Sequence, residues 1–207
     1  MKLNWKKFLA VFVLCNVVFL ISGCSVSWIG AIQALMPAIS AAISAAFAFI
    51  SALEGKTIPA SVTAAIAKIE ADVTASLQNA QTILASITSN PSATVLQQVE
   101  AVFQAIVSNM NSILSGLSIT DQSTIGKITS LVGLAVAAVE AVLGLIPLAM
   151  KASALSVAEQ VHADKAATVS IKNTHHVLQS TYHQVVSTPT ESVDVNAALA
   201  SLPQTLP

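Results

Sequence analysis

The chain contains no arginine. Bidentate recognition of phosphate groups and base edges leans on that side chain. No cluster of lysines takes its place, so nucleic acid is excluded as a partner. Charged residues make up 9 % of the sequence, where about 25 % is ordinary. Aromatic residues reach only 4 %, and there are two cysteines, Cys15 and Cys24. No Ser-His-Asp order, nucleotide loop, paired-carboxylate motif or cysteine nucleophile stands out. The four histidines are His162, His175, His176 and His183. His176 and His183 share a helix face but lie ~10 Å apart along the axis. A single metal with imidazole bonds of ~2 Å does not bridge that gap. The sequence therefore predicts no metal site, no cofactor and no catalytic activity.

Hydrophobic residues, by contrast, make up 54 % of the chain. They are mainly Ala, Ile, Val and Leu, with Ser and Thr at the polar positions. Between Ile29 and Leu53 the residues Ile29, Ile32, Met36, Ile39, Ile43, Ala46, Ile50 and Leu53 step by three and four. This seam suits helices packed lengthwise on one another. Pro37 should kink or restart that helix, and Gly55 after Glu54 fits a left-handed turn.

A second seam, Val62, Ile66, Ile69, Val73, Ala80, Ile83 and Ile87, has Lys68, Glu70, Asp72, Gln78 and Gln81 on its wetter side. Asn90-Pro91 reads as an N-cap and first helical position. A third seam runs Leu96, Val99, Phe103, Ile106, Met110, Ile113, Leu117. A fourth helix is expected from Asp121 to Ile146, ended or kinked by Pro147. Its Gly133, Ala137 and Ala141 form a stripe that lets another helix approach closely. Helix should resume through Val161 and again from Ser170 to Val186, with Ile171, Leu178, Tyr182 and Val185 on one face.

No strand pattern competes, and the links are short. The expected fold is all-α, an up-and-down antiparallel bundle of four to five long Ala/Ser-rich helices. The bundle should occupy residues 29–187. Residues 188–207, punctuated by prolines, read as a flexible C-terminal tail, in which Asp194 is placed to cap one short helical turn.

The first residues have a separate logic. Lys2, Lys6 and Lys7 precede an apolar run from Phe8 to Ile21, which closes on small residues. This is the layout of a secretory signal peptide. Its last residues, Ile21-Ser22-Gly23-Cys24, resemble the lipobox of bacterial lipoproteins. The resemblance implies a signal peptide over 1–23, cut between Gly23 and Cys24, and a covalent lipid on Cys24 with palmitate-type chains. Residues 24–28 would then be the lipidated cysteine and a short tether, with Trp28 near the headgroups or on the bundle end. The partner so implied is membrane lipid, and the location the bacterial cell membrane. Ser25 in place of Asp after the cysteine favours the outer membrane in a Gram-negative cell. The mature chain would hold six lysines against ten acids, a net charge near −4, and no disulfide.

Together these features predict a lipid-anchored cell-envelope protein with a structural or protein-interaction role, through an envelope partner or self-association. One alternative is a membrane-active pore or channel component using residues 29–53 and 128–150, each long enough to span a bilayer. Glu140, the single charge between Ile128 and Met150, would then be a group inside the membrane, whereas in a bundle it faces solvent. Another is a carrier holding an apolar ligand between its helices.

Overall fold

The computed structural model of the chain describes residues 27–87, 92–116, 119–152 and 157–207. Among them there is no strand; there are six α-helices, which we number α1 to α6. These are α1 (Ser27–Ala52), α2 (Ala60–Ser86), α3 (Ala93–Gly116), α4 (Gln122–Ala152), α5 (Val157–Ser187) and α6 (Val193–Ala200). The first five are long and α6 is a short appendage. The signal segment, Cys24, Asn90-Pro91 and Leu117 lie outside the described residues.

The packing order departs from simple succession along the chain. Helices α2, α3, α4 and α5 each pack on the next, while α1 packs mainly on α4 and α5 and only lightly on α2. The central position of α1 follows from its side chains. Every residue of its predicted seam is buried, and so are Leu35, Ala38, Ala42, Ala45, Phe47 and Phe49. A helix apolar nearly all round has no stable place at the surface of a packed domain. On α4, Leu131, Val132, Ala135, Ala138, Val139 and Val142 are buried in the same way. At ~1.5–3 kcal/mol for each large apolar side chain taken from water, these two helices dominate the driving force for folding. Helices α2, α3 and α5 are amphipathic covers. On α3 the buried residues are Leu96, Val99, Phe103, Ile106, Met110 and Ile113, the predicted seam as far as it is described.

Both interior prolines are absorbed. Helix α1 passes through Pro37, and α4 continues beyond Pro147 to Ala152 instead of ending there. Each proline deletes one backbone bond. Helix α5 is likewise continuous where two segments were expected.

The turn from α1 to α2 is tightly bonded. The amide N–H groups of Lys56, Thr57 and Ile58 all donate to the Leu53 carbonyl, and Gly55 N–H donates to Ile58 O at 3.0 Å. Gly55 has φ of 72° and is the one residue with positive φ among those described. Nothing lies within 4 Å of a Cβ added there, so the cost of a side chain is conformational. Gly55→Ala should destabilise by ~1–2 kcal/mol. That corresponds to a fall in melting temperature of roughly 2–8 °C. Asn at this position should recover part of the loss, because it tolerates the left-handed region.

Three of the helix starts are capped by side chains, whereas α2 begins after Pro59 with none. Ser92 caps α3, with Val95 N–H donating to its Oγ at 3.3 Å. Asp121 caps α4: its Oδ2 accepts from Thr124 N–H at 2.8 Å and from the Thr124 hydroxyl. Thr124 is fully buried, so Asp121 satisfies a hydroxyl that water does not reach. The Thr124 hydroxyl first, then the Thr124 backbone N–H, hold the Asp121 carboxyl below the ordinary aspartate range. A depressed carboxylate pKa stabilises the fold above the unfolded value, near 3.8. That contribution is lost as pH falls through the lower, folded value. In melts between pH ~2 and ~5, Asp121→Asn should lose this part of the acid sensitivity while keeping a capping oxygen.

The start of α4 is also tied to the end of α5. Lys127 Nζ donates to the carbonyls of Val185 and Thr188, both at 2.8 Å. A cation at a helix C-terminus satisfies carbonyls that have no partner within the helix. Partial burial pushes the Lys127 pKa down.

The C-terminal segment differs from the predicted flexible tail. Ser192, not Asp194, caps α6 by accepting from Val195 N–H at 3.4 Å. Asn196 closes on Thr190 in both directions: its Nδ2 donates to Thr190 O at 2.7 Å, and Thr190 N–H donates to its Oδ1 at 2.8 Å. Val195, Ala198, Leu199, Leu202 and Leu206 are buried. Residues 201–207 then run back along α5. There the Tyr182 hydroxyl donates to Pro203 O at 2.9 Å and Gln179 Nε2 to Leu206 O at 3.1 Å.

Candidate functional site

One recess follows from how α1 and α2 are joined. The bonded turn over 53–58 ties them at one end. At the other end Gln33 Nε2 donates to Leu84 O at 3.0 Å. Hence the helices run in opposite directions and are pinned at both ends. In between, many of the α1 residues that line the space toward α2 are small: Pro37, Ser40, Ala41, Ser44, Ala48 and Ser51. Contact between α1 and α2 is light, and α1 packs mainly on α4 and α5.

The result is an open cleft made of two connected parts that share Ser40, Ser44 and Gln81. Their volumes are about 610 Å³ and 480 Å³, within the range of small-molecule sites. The floor is apolar and buried: Met36, Ile43, Phe47, Leu77 and Leu84. The rim is polar. The part near Gln33 is lined mainly by Met36, Pro37, Ala41, Leu84 and Ala85. The part near the turn carries Ser51, Thr74, Gln78 and Glu70. Glu70 is the single charged residue lining the cleft. Hydroxyls and amides of this kind donate and accept hydrogen bonds. None of the four histidines lines the cleft, so no imidazole is placed there to activate a serine.

A second groove, about 540 Å³, lies between α4 and α5 and is lined by Gly133, Ala137, Val177 and Thr181. The small-residue stripe of α4 therefore faces outward. Gly133 and Ala137 are exposed and Ala141 is half-buried, and nothing lies within 4 Å of a Cβ added at Gly133, so among the described residues no helix approaches closely there. The branched residues of α4 take the inward face instead, where they bury more apolar area.

The titratable candidates are dispersed. Glu140 is exposed, as are His162, His176 and His183. Half-buried His175 has its Nε2 3.0 Å from Pro207 O, and since that oxygen accepts, the ring nitrogen donates. No group of three or more His, Cys, Asp or Glu is gathered to hold a metal among the described residues. Two helical segments are long and apolar enough to cross a membrane, Ile32–Ala52 and Gln122–Ile146. In this fold 61 % and 50 % of their most apolar windows are buried against other helices.

Sequence reasoning did not locate the cleft. Its trace was the row of small residues at 37, 40, 44, 48 and 51, opposite the polar row at 70, 74, 78 and 81. No protein-family model matches the chain, and no curated protein or solved structure matches it either.

Proposed function

We propose that this chain is a lipid-anchored protein of the bacterial cell envelope, held by acylated Cys24, with a structural or interaction role and no catalytic activity. Its long helices act as an up-and-down antiparallel bundle standing on a short tether. The address rests on the basic start, the apolar run and Ile21-Ser22-Gly23-Cys24. Ser25 favours the outer membrane if the cell is Gram-negative. One structural observation carries the rest: the two most apolar helices, α1 and α4, bury their large side chains against the other helices. The burial of 61 % and 50 % of their most apolar windows supports a core role for them, with attachment through the N-terminal segment. The exposure of Glu140 beside small residues supports the bundle reading over a pore. Membrane lipid is the first partner; an envelope protein or a second copy has the polar outer faces of α2, α3 and α5 to bind.

The test replaces residues 1–24 with an ordinary cleavable secretory signal. Residues 25–207 should then be recovered from the exported soluble fraction without detergent, as a strongly helical species of defined mass by sedimentation. The native protein, extracted from envelopes, should carry diacylglyceryl and acyl mass on the Cys24 peptide. Helical protein that stays in solution only with detergent would overturn this reading.

A further inference from the structure

We propose that the α1–α2 cleft is a binding slot for a single-chain amphiphile with an uncharged, hydroxyl-rich head, such as a monoacylglycerol. Three observations converge. The slot has fixed ends, since the turn at one end and the Gln33–Leu84 hydrogen bond at the other tie its two walls together. It is graded along its length, from Met36, Pro37 and Leu84 at one end to Ser51, Thr74 and Gln78 at the other. That gradient matches one apolar chain joined to one polar head. The span from Gln33 to Ser51 along α1 is ~27 Å.

Charge selects the head. No lysine lines either part, and the single charged lining residue is Glu70, at the polar end. The nearby Lys68 is engaged with Asp72 at 3.5 Å. A phosphate or carboxylate head would sit against Glu70 with no cation to receive it. A glycerol head instead meets hydroxyls and amides that donate and accept.

Direction adds a further match, and this step alone rests on the lipid-anchor reading. The apolar end lies at the start of α1, the end from which the chain leads back to Cys24. An amphiphile in the slot would keep the orientation it has in a leaflet, chain toward the bilayer and head away.

The experiment uses full-length protein in envelope membranes and two photoreactive probes, a monoacylglycerol analogue and the matching free fatty acid. Adduct positions are mapped by peptide mass spectrometry, and acylation of the Cys24 peptide is read in the same sample. We expect the neutral probe to label residues 36–51 and 70–85, ~tenfold above the fatty acid. Ser44→Trp and Gln78→Trp, at exposed rim positions on opposite walls, should each remove that labelling with helix content unchanged. Glu70→Lys should bring the fatty acid up to the neutral probe. Slot labelling without acyl mass on Cys24 would support the slot and retire the anchor. An acylated Cys24 with adducts scattered over the surface, or labelling indifferent to both tryptophans, would overturn the slot. So would capture of a polypeptide rather than a lipid at these residues.

Discussion

Ala46→Glu should unfold the domain, and Ala48→Glu, two residues away on the same helix, should leave it intact. Ala46 is 1 % exposed and sits in the seam of α1; Ala48 is exposed on the rim of the cleft. A glutamate at 46 enters an apolar core where no cation is available, and an unpaired buried charge costs several kcal/mol. Total stabilities of domains are only ~5–15 kcal/mol, so most of the protein should be unfolded. At 48 the new carboxylate stays in water, and the expected change is within ~0.5 kcal/mol. The same contrast should hold on α4 between Ala138, fully buried, and Ala137, exposed. Chemical denaturation of the four variants, with helix content as the readout, checks this. The pairs also separate two physical pictures. In a helix surrounded by lipid, neighbouring positions would be penalised alike, whereas in a bundle the penalty follows which side chain faces the core. Equal loss at 46 and 48 would contradict the buried position of α1.

Truncation of Tyr182 should have the next largest effect. Tyr182 is fully buried, among the largest side chains in the core, and its hydroxyl holds the Pro203 carbonyl. Tyr182→Ala should cost ~3–5 kcal/mol, by analogy with other large-to-small changes at aromatic core positions. It should also release the segment after α6, because Leu202 and Leu206 pack in the same region and only the Gln179–Leu206 and His175–Pro207 hydrogen bonds would still tie residues 203–207 to α5. Amide exchange of residues 201–207 should accelerate well before global unfolding.

Tyr182→Phe keeps the ring and removes one hydrogen bond, worth ~0.5–1.5 kcal/mol. It also removes a pH effect. Burial pushes the Tyr182 pKa up. The associated stabilisation is fully present below the ordinary tyrosine value, near 10, and is lost as pH rises through the higher folded value. The alkaline loss of stability should therefore be shallower in Tyr182→Phe. A C-terminal segment that exchanges as fast in wild type as in Tyr182→Ala would show that the docking is not formed in solution.

The reading of the sequence succeeded where one apolar stripe met one partner surface. On α3 the positions Leu96 to Ile113 were legible residue by residue, because Gln97, Gln98, Gln104 and Asn111 mark the other side so sharply. On α1 the seam was right but too narrow. Alanine carries little hydrophobic signal of its own, so the burial of Ala38, Ala42 and Ala45 was not marked by periodicity. The C-terminal segment was misread because prolines and small residues resemble a linker. Two clues were present: Leu199, Leu202 and Leu206 step by three and four, and a tyrosine on an apolar face needs a partner for its hydroxyl.

By itself, then, the sequence determined the helical class, the seams of α1 and α3, the turn at Gly55 and the expectation of a lipid at Cys24. These depend on local spacing, on backbone preference or on a short contiguous pattern. Only the tertiary structure decided that α1 and α4 form the centre, that the Gly133–Ala137 stripe faces outward, that 193–207 docks on α5, and that α1 and α2 part to leave a cleft. Each of these is a choice among faces of similar apolarity. It is settled by which arrangement buries the most large side chains at once, and that sum runs over all the helices together.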